Sequence, residues 1–292
     1  MRIKLIFEKN KRLSSLTTLK VGGVARYFVC VKTVEDFKEA FQECKKRHLP
    51  YFILGKGSNT LFDDSGFSGL VILNCIGGKS FVDGICTVGA GYSFALLGVQ
   101  TARLGCAGLE FACGIPASVG GAVFMNAGAN GSEVSDCLVS VDYLTEDGQL
   151  LNFKKQDLLF SYRSSSFHQM KGGIVRATFS LTNSKDARKK QLELLSYRKK
   201  TQPYREASAG CAFRNPEGNS AGKLIDLCGL KGHCIGGAQV SYLHGNFIIN
   251  KGGATSCDVQ ALLAFVQKRV KEKTGILLEK EVRYIQNIEG GV

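Results

Sequence analysis

The chain has 292 residues, of which 44% are hydrophobic and 22% charged. This length allows two or three domains of ordinary size, and the composition excludes disordered, collagen-like and coiled-coil proteins. Lys and Arg outnumber Asp and Glu by 38 to 25, which gives a net charge of +13. Such a charge predicts an anionic partner: nucleic acid, an anionic membrane surface or phosphorylated small molecules.

Apolar periodicity and turn residues predict a small α/β region, then a strand-rich region, then a second α/β region. A polar and charged stretch at 182–190 marks the last boundary. We therefore predict three domains, at 1–75, 76–185 and 186–292. The predicted elements in chain order are helix 34–48, strands 51–54 and 69–75, a hairpin over 139–153, strand 173–181, helix 187–200, strand 246–250, helix 257–274 and strand 277–286.

Two of the predicted helices have an apolar stripe and also a residue that marks one end of the helix. Thr33 precedes the first helix and is a suitable N-cap. The helix over 257–274 has apolar residues at 259, 262, 263, 266 and 270, and Gly275 follows it as a C-terminal stop.

The positive charge is concentrated in one segment. Residues 185–205 contain eight basic and two acidic side chains, so +6 of the +13 lies in 21 residues. Two interpretations remain open at this stage: a solvated helix face, or a surface that attracts anions.

The 11 cysteines are spaced irregularly, with no CxxC pair, and the four histidines do not form a metal-binding pattern. We predict no metal site and, with one exception discussed below, reduced cysteines in the core. The N-terminal residues lack an apolar run long enough for a signal peptide, and no run of 18 apolar residues follows. These absences predict a cytoplasmic protein without membrane contact.

Two glycine-rich segments are candidate ligand sites. The loop Gly55-Lys56-Gly57-Ser58-Asn59 follows a predicted strand, and its glycines let backbone N–H groups approach an anion. An ordinary tight turn would have the same residues. The segment 114–131 is dominated by small residues, which suit either close packing against a flat ligand or tight helix–sheet packing.

Four blocks in order give the chain its resemblance to a known family: 54–59, 114–131, 162–167 and 209–216, followed by Glu281-Val282-Arg283. The chain resembles the UDP-N-acetylenolpyruvoylglucosamine reductases, FAD-dependent enzymes of bacterial cell-wall synthesis. The resemblance implies an α+β fold, with a two-subdomain FAD-binding part of the vanillyl-alcohol-oxidase type and a C-terminal α/β substrate domain. It also implies non-covalent FAD, NADPH as hydride donor and a UDP-sugar substrate, and we expect a monomer.

The resemblance also implies roles for individual residues. Arg163 would bind the substrate carboxylate, Glu281 would stabilise developing charge, and Cys211 would donate a proton. Tyr162 and Asn215 would contact the substrate, as would one of Arg198, Lys199 and Lys200, of which we choose Lys200. The residues implied to bind the cofactor are Gly55, Lys56, Gly57, Ser58, Asn59, Pro116, Ser118, Gly120, Gly121, Asn126 and Gly128.

The proton-donor position departs from the family pattern, which usually has Ser where this chain has Cys211. A thiol has a reference pKa near ~8.5, so it is a better acid than a serine hydroxyl and is still protonated at neutral pH.

Only 47 residues separate Arg163 from Cys211. That spacing is too short for the substrate-covering Tyr loop that one form of the family carries, so we assign the chain to the shorter form.

Two other functions are weighed against this one. Another FAD oxidoreductase of the same fold would act on a different alcohol or ether, with covalent flavin attachment as its mark, but residues 105–131 contain no His. A nucleic-acid-binding protein is suggested by the charge alone. The chain has no basic–aromatic motif and no Trp, so we predict no nucleic-acid partner.

Overall fold

The computed structural model describes residues 5–287. The helices are α1 Val34–Arg47, α2 Phe94–Arg103, α3 Val119–Phe124, α4 Ala187–Thr201, α5 Ala221–Leu227 and α6 Ser256–Thr274. The strands are β1 Glu8–Arg12, β2 Val24–Val31, β3 Tyr51–Leu54, β4 Thr60–Phe62, β5 Phe67–Asn74, β6 Lys79–Val82, β7 Ile85–Gly89, β8 Cys106–Ala107, β9 Gly128–Ala129, β10 Ser132–Glu133, β11 Leu138–Thr145, β12 Leu150–Lys154, β13 Phe160–Ser161, β14 Ser164–Ser165, β15 Gly172–Ser180, β16 Thr182–Asn183, β17 Ala207–Cys211, β18 Cys234–Ile235, β19 Ala238–Val240, β20 Phe247–Asn250 and β21 Arg283–Ile285.

Local sequence signals explain where the two best-predicted helices begin and end. The Thr33 side chain accepts a hydrogen bond from the Asp36 amide, and the Asp36 carboxylate accepts one from the Thr33 amide, which makes a capping box at α1. Thr255 and Asp258 form the same arrangement at α6. The α6 helix ends at Gly275, whose φ of 75° is favourable only for glycine. Both predicted helices are confirmed.

The chain folds into two compact units. Unit 1 contains the described residues up to Glu8, together with Phe28–Lys56 and Leu70–Arg198. Unit 2 contains Lys9–Tyr27, Gly57–Gly69 and the described residues from Lys199 onward. The division into three domains at 1–75, 76–185 and 186–292 stays a prediction. Among residues 5–287, no helix combines the length and apolar character needed to cross a bilayer.

Unit 1 is built on an antiparallel sheet of order β12-β11-β15-β7-β6. Strands β11 and β12 form the predicted hairpin, with the turn at residues 146–149. The core between this sheet and helices α2 and α3 includes Phe94, Tyr143 and Phe179, each at most 2% exposed. In the same unit, β3 pairs in parallel with β5, Tyr51 lying opposite Leu70.

Unit 2 is built on an antiparallel sheet of order β17-β20-β19-β18. Its core contains the apolar stripe of α6, formed by Val259, Leu262, Leu263, Val266 and Val270. In this unit β21 also pairs in parallel with β4.

The predicted strand 277–286 is wrong in its extent, because only Arg283–Ile285 form β21. Residues 279–281 instead bond irregularly to another segment: the Arg214 amide donates to the Glu279 carbonyl, and the Glu281 amide donates to the Ala212 carbonyl. The chain therefore changes its pairing partner between Glu281 and Arg283, and alternating apolar residues do not reveal such a change.

The prediction that all cysteines other than Cys211 lie in the core is also wrong. All eleven thiols are free, but Cys234 and Cys257 are exposed. Cys234 lies on the edge strand β18, and Cys257 lies in the first turn of α6, where the side chain points away from the core. Cys257 stands between Ser256 and Asp258, and Cys234 follows His233, so these two cysteines lack the apolar runs on which the core prediction was based.

Candidate active site

The loop at residues 55–59 joins β3 to β4 and presents an unusual run of amides. Among the described residues, no protein group accepts a hydrogen bond from the backbone N–H of any residue from 55 to 59. Successive unbonded N–H groups form an anion-binding concavity. Gly57 has φ of 63°, and a Cβ there would lie 2.4 Å from the Leu16 carbonyl oxygen. Amides of this kind bind anionic groups such as the pyrophosphate of a dinucleotide.

In unit 1 the fold brings the two predicted cofactor segments together. A Cβ added to Gly55 would lie 2.2 Å from the Ser118 Oγ, so glycine is required for this approach. Ser118 is buried, and its Oγ accepts a hydrogen bond of 3.3 Å from the Gly121 amide. The Gly120 amide donates to the Ala90 carbonyl. Gly120 and Gly121 thus have their N–H groups bonded within the protein, and a Cβ at Gly120 would lie 2.9 Å from the Ala90 Cβ, so this glycine allows close packing within unit 1.

The other cofactor residues predicted in this segment differ in exposure. Pro116 is exposed, whereas Asn126 is 0% exposed. The Asn126 Nδ2 donates to the Ser161 carbonyl at 3.1 Å, and its Oδ1 accepts from the Ser135 amide at 3.0 Å. Both polar ends of this side chain are therefore bonded to backbone groups. The Gly128 carbonyl accepts a hydrogen bond from an arginine, described next.

Arg163 occupies the two-residue turn between β13 and β14. Its φ is 56°, a left-handed value that is unfavourable for a residue with a Cβ. The Arg163 Nη2 donates to the Gly128 carbonyl at 3.0 Å, and its guanidinium carbon lies 4.9 Å from the centre of the Tyr162 ring. A guanidinium held in this way can bind a carboxylate through its forked donors.

The basic residues at the end of α4 are now distinguishable. Arg198 is buried and donates to the Gly114 carbonyl at 3.3 Å, whereas Lys199 and Lys200 are exposed. Most side chains of α4 are exposed to solvent, and even the apolar Leu192 has 48% of its surface exposed. The role of Lys200 in binding a diphosphate stays a prediction.

In unit 2, Cys211 ends strand β17 immediately after a bulge. The register shifts between Ser208 and Cys211, and Gly210 within the bulge has φ of 74°. A bulge adds one residue to a strand and turns the following side chain. The Cys211 side chain, which is half-buried, thus depends on Gly210 for its direction.

Glu281 is joined to the same region and to the cofactor loop. The Glu281 amide donates to the Ala212 carbonyl at 2.9 Å, and the Asn59 Nδ2 donates to the Glu281 carbonyl at 3.2 Å. The Arg283 amide donates to the Asn59 carbonyl at 3.1 Å. Burial lowers the pKa of Arg283 from its ordinary value, although a guanidinium stays charged in proteins. Hydrogen bonds thus connect Glu281 to Ala212, the residue after Cys211, and to the loop residue Asn59.

Asn215 has a structural partner of its own, because its Oδ1 accepts a hydrogen bond of 3.0 Å from the Ala221 amide at the start of α5.

Thr18 was not predicted as a site residue. Its Oγ1 donates to the Ser208 carbonyl at 2.6 Å, and its amide donates to the Gly57 carbonyl at 3.2 Å. Thr18 therefore connects the loop to β17.

Comparison with known families agrees with the fold. A family model described as an FAD binding domain matches residues 25–154, and one described as the UDP-N-acetylenolpyruvoylglucosamine reductase C-terminal domain matches residues 202–285. Together with the amide-rich loop, these matches define an FAD-containing oxidoreductase with an α+β fold, as predicted.

Similar whole chains narrow this class to a family. A UDP-N-acetylenolpyruvoylglucosamine reductase of Protochlamydia amoebophila is 56% identical over 288 residues, covering 98% of this chain and 96% of that one. One from Chlamydia pneumoniae is 48% identical over 274 residues, covering 94% and 90%. The crystal structure of the Thermus caldophilus reductase superposes with a TM-score of 0.82 at 38% identity, covering 97% and 99%. The chain belongs to the UDP-N-acetylenolpyruvoylglucosamine reductase family.

Proposed function

We propose that this protein reduces UDP-N-acetylenolpyruvoylglucosamine to UDP-N-acetylmuramate, with NADPH as the electron source. The observation that carries the proposal is the backbone junction of unit 2, in which the Glu281 carbonyl accepts a hydrogen bond from the Asn59 side chain of the cofactor loop and the Glu281 amide donates one to Ala212, next to Cys211. The near-full-length identity to reductases of this name supports the choice of substrate.

FAD, when bound, supplies hydride transfer from NADPH to the terminal carbon of the enolpyruvyl group. The amides of residues 55–59 are suited to its pyrophosphate, and the missing side chain of Gly55 lets Ser118 of the second predicted cofactor segment approach the loop closely. Lys56, Pro116, Gly120, Gly121 and Gly128, which the resemblance also implies as cofactor residues, stay in this proposal, and Asn126 is given a different role below.

The remaining chemistry belongs to side chains of the protein. The Arg163 guanidinium binds the substrate carboxylate and stabilises the negative charge that builds up there during reduction. The Cys211 thiol donates the proton that the adjacent carbon takes up, and the Glu281 carboxyl stabilises developing charge as a hydrogen-bond donor when protonated. Tyr162, Lys200 and Asn215 hold the rest of the UDP-sugar.

Anaerobic spectroscopy tests this function. The purified holoprotein should be yellow, should bleach with NADPH and should regain its colour when the enolpyruvyl sugar nucleotide is added without air. A preparation that bleaches but stays bleached with this substrate would instead indicate another FAD oxidoreductase of the same fold. A colourless protein that cannot be reconstituted with FAD would overturn both.

We also propose where the protein acts in the cell and which oligomeric state it has. The product is a precursor of peptidoglycan, so we place the protein in the cytoplasm and in cell wall biogenesis, where it would influence cell shape and cell division. We also propose a monomer whose partners are NADPH and the UDP-sugar. Size-exclusion chromatography with light scattering tests the monomer, and fractionation of cells tests the location.

A further inference from the structure

Three hydrogen bonds anchor the hairpin that carries Arg163 to one short segment of unit 1. The Ser165 Oγ donates to the Phe124 carbonyl at 2.6 Å, and the Asn126 Nδ2 donates to the Ser161 carbonyl at 3.1 Å. The Arg163 Nη2 donates to the Gly128 carbonyl at 3.0 Å. Residues 124, 126 and 128 thus each hold a different part of the hairpin.

The hairpin depends on these anchors because it is too small to stand alone. Strands β13 and β14 contribute only two residues each, and a two-stranded hairpin is marginal in water even when longer. Arg163 also has the left-handed φ of 56°, and such a conformation persists only where surrounding contacts impose it. The direction of the guanidinium is therefore set by what holds the hairpin.

Asn126 is the one anchor whose side chain is wholly buried, at 0% exposure. Its Oδ1 accepts a hydrogen bond from the Ser135 amide, so the side chain is fixed at one end and supports Ser161 at the other. Its φ of 42° also suits asparagine better than most residues. A side chain buried and bonded in this way presents little surface to a ligand.

We propose that Asn126 is a positioning residue that holds the Arg163 hairpin, so that the guanidinium meets the substrate carboxylate in the reactive geometry. This role replaces the cofactor contact predicted from the sequence, and it rests on the proposed function. It involves the reaction with the sugar nucleotide and not the reaction with NADPH, because Arg163 acts only on the substrate.

Anaerobic stopped-flow measurement of the two half-reactions tests the proposal with the holoprotein. In Asn126→Ala and in Ser165→Ala, flavin content and the rate of reduction by NADPH stay within ~2-fold of the unmodified protein. Reoxidation by the enolpyruvyl sugar nucleotide slows by about 10- to 100-fold, because a displacement near 1 Å has effects of this size. Ser164→Ala is the matched control. Its Oγ is paired with His168, four residues away, and not with residues 124–128, so we expect no change.

A mutant cycle separates positioning from a general structural role. In an Arg163→Ala background, adding Asn126→Ala should slow reoxidation by less than ~2-fold, because the group that Asn126 positions is already gone. An equal slowing in both backgrounds would overturn the proposal. So would loss of flavin in Asn126→Ala, which is the result expected of a cofactor ligand. If Asn126→Ala does not fold, Ser165→Ala in both backgrounds decides.

Hydrogen exchange provides a readout that is independent of activity. Backbone amides of residues 161–165 should exchange faster in Asn126→Ala and Ser165→Ala than in Ser164→Ala, without any substrate present. Unchanged exchange in both anchor variants would overturn the proposal. If the unmodified holoprotein is not reoxidised by the sugar nucleotide, the proposed function fails instead, and this exchange result still reports whether Asn126 holds the hairpin.

Discussion

The side-chain amide of Asn59 donates a hydrogen bond of 3.2 Å to the backbone carbonyl of Glu281, a residue 222 positions further along the chain. The bond joins the loop suited to the cofactor pyrophosphate to the strand end that carries a candidate catalytic carboxyl. Cofactor binding and the position of Glu281 are therefore expected to depend on each other.

Replacing Asn59 by Ala should raise the dissociation constant for FAD by about 2- to 10-fold, the effect of losing one neutral hydrogen bond. Titration of the apoprotein followed by flavin fluorescence measures it. Asn219→Ala is the control, because its Nδ2 bonds only locally, to the Glu217 carbonyl at 3.5 Å. Equal FAD affinity in the two variants would mean that the bond does not support the loop.

Gly210→Ala should lower both stability and activity. Gly210 and Gly275 have φ of 74° and 75°, and a Cβ would meet nothing closer than 3.6 Å at either. Alanine at each position should therefore cost a similar amount of stability, about 1–2 kcal/mol. Only Gly210 lies in the bulge before Cys211, so only Gly210→Ala should also lower kcat. Denaturant unfolding and steady-state kinetics test this, and equal kcat in the two variants would contradict it.

Cys211→Ser should keep activity but lose sensitivity to thiol reagents and the fall in activity at mildly alkaline pH that loss of a thiol proton would cause. Because Cys234 and Cys257 are exposed, the comparison requires a Cys234→Ser, Cys257→Ser background. In that background alkylation should still abolish activity, and bound substrate should protect. Persistence of both the alkaline fall and the reagent sensitivity after Cys211→Ser would exclude Cys211 as the donor.

His244 should make the protein less stable as pH falls below about 6.5. Burial, and then the nearby Lys231, lower the pKa of His244 from its ordinary value of 6.5. The unfolded chain therefore binds a proton that the folded chain does not, so stability is complete above pH 6.5 and is lost as pH decreases. Melting temperature measured against pH shows the loss.

The matched variants for this prediction are His244→Asn and His48→Asn. Asparagine at 244 keeps an acceptor for the Asn246 amide, which now bonds to the His244 Nδ1 at 3.2 Å. His48 is exposed, with φ of 51°, which asparagine tolerates. His244→Asn should flatten the acid side of the profile while His48→Asn leaves it unchanged. Identical profiles in the two variants would assign the acid loss to other groups.

The amino-acid sequence by itself determined the helices with capping boxes, the order of strands, and the blocks that mark the family, because each depends on residues near one another in the chain. Thr33 with Asp36 and the stripe of α6 are examples. The loop at 55–59 could be identified as a candidate anion site for the same reason. The sequence could not distinguish an anion-binding loop from an ordinary turn, because the difference depends on whether hydrogen-bond acceptors from other parts of the chain pair with the loop amides.

Only the tertiary structure decided which distant groups meet. It placed the Asn59 side chain against the Glu281 carbonyl and the Asn126 side chain against the Ser161 carbonyl, two contacts between residues that are far apart in the chain. It also shortened the last strand to Arg283–Ile285 and left two cysteines exposed. The physical reason is the same in each case: hydrogen bonding and burial between segments far apart in the chain depend on packing, which leaves no periodic signal in the local sequence. The net charge predicted that the protein has an anionic partner. Which residues are placed to bind that partner depends on the packing of segments that are far apart in the chain.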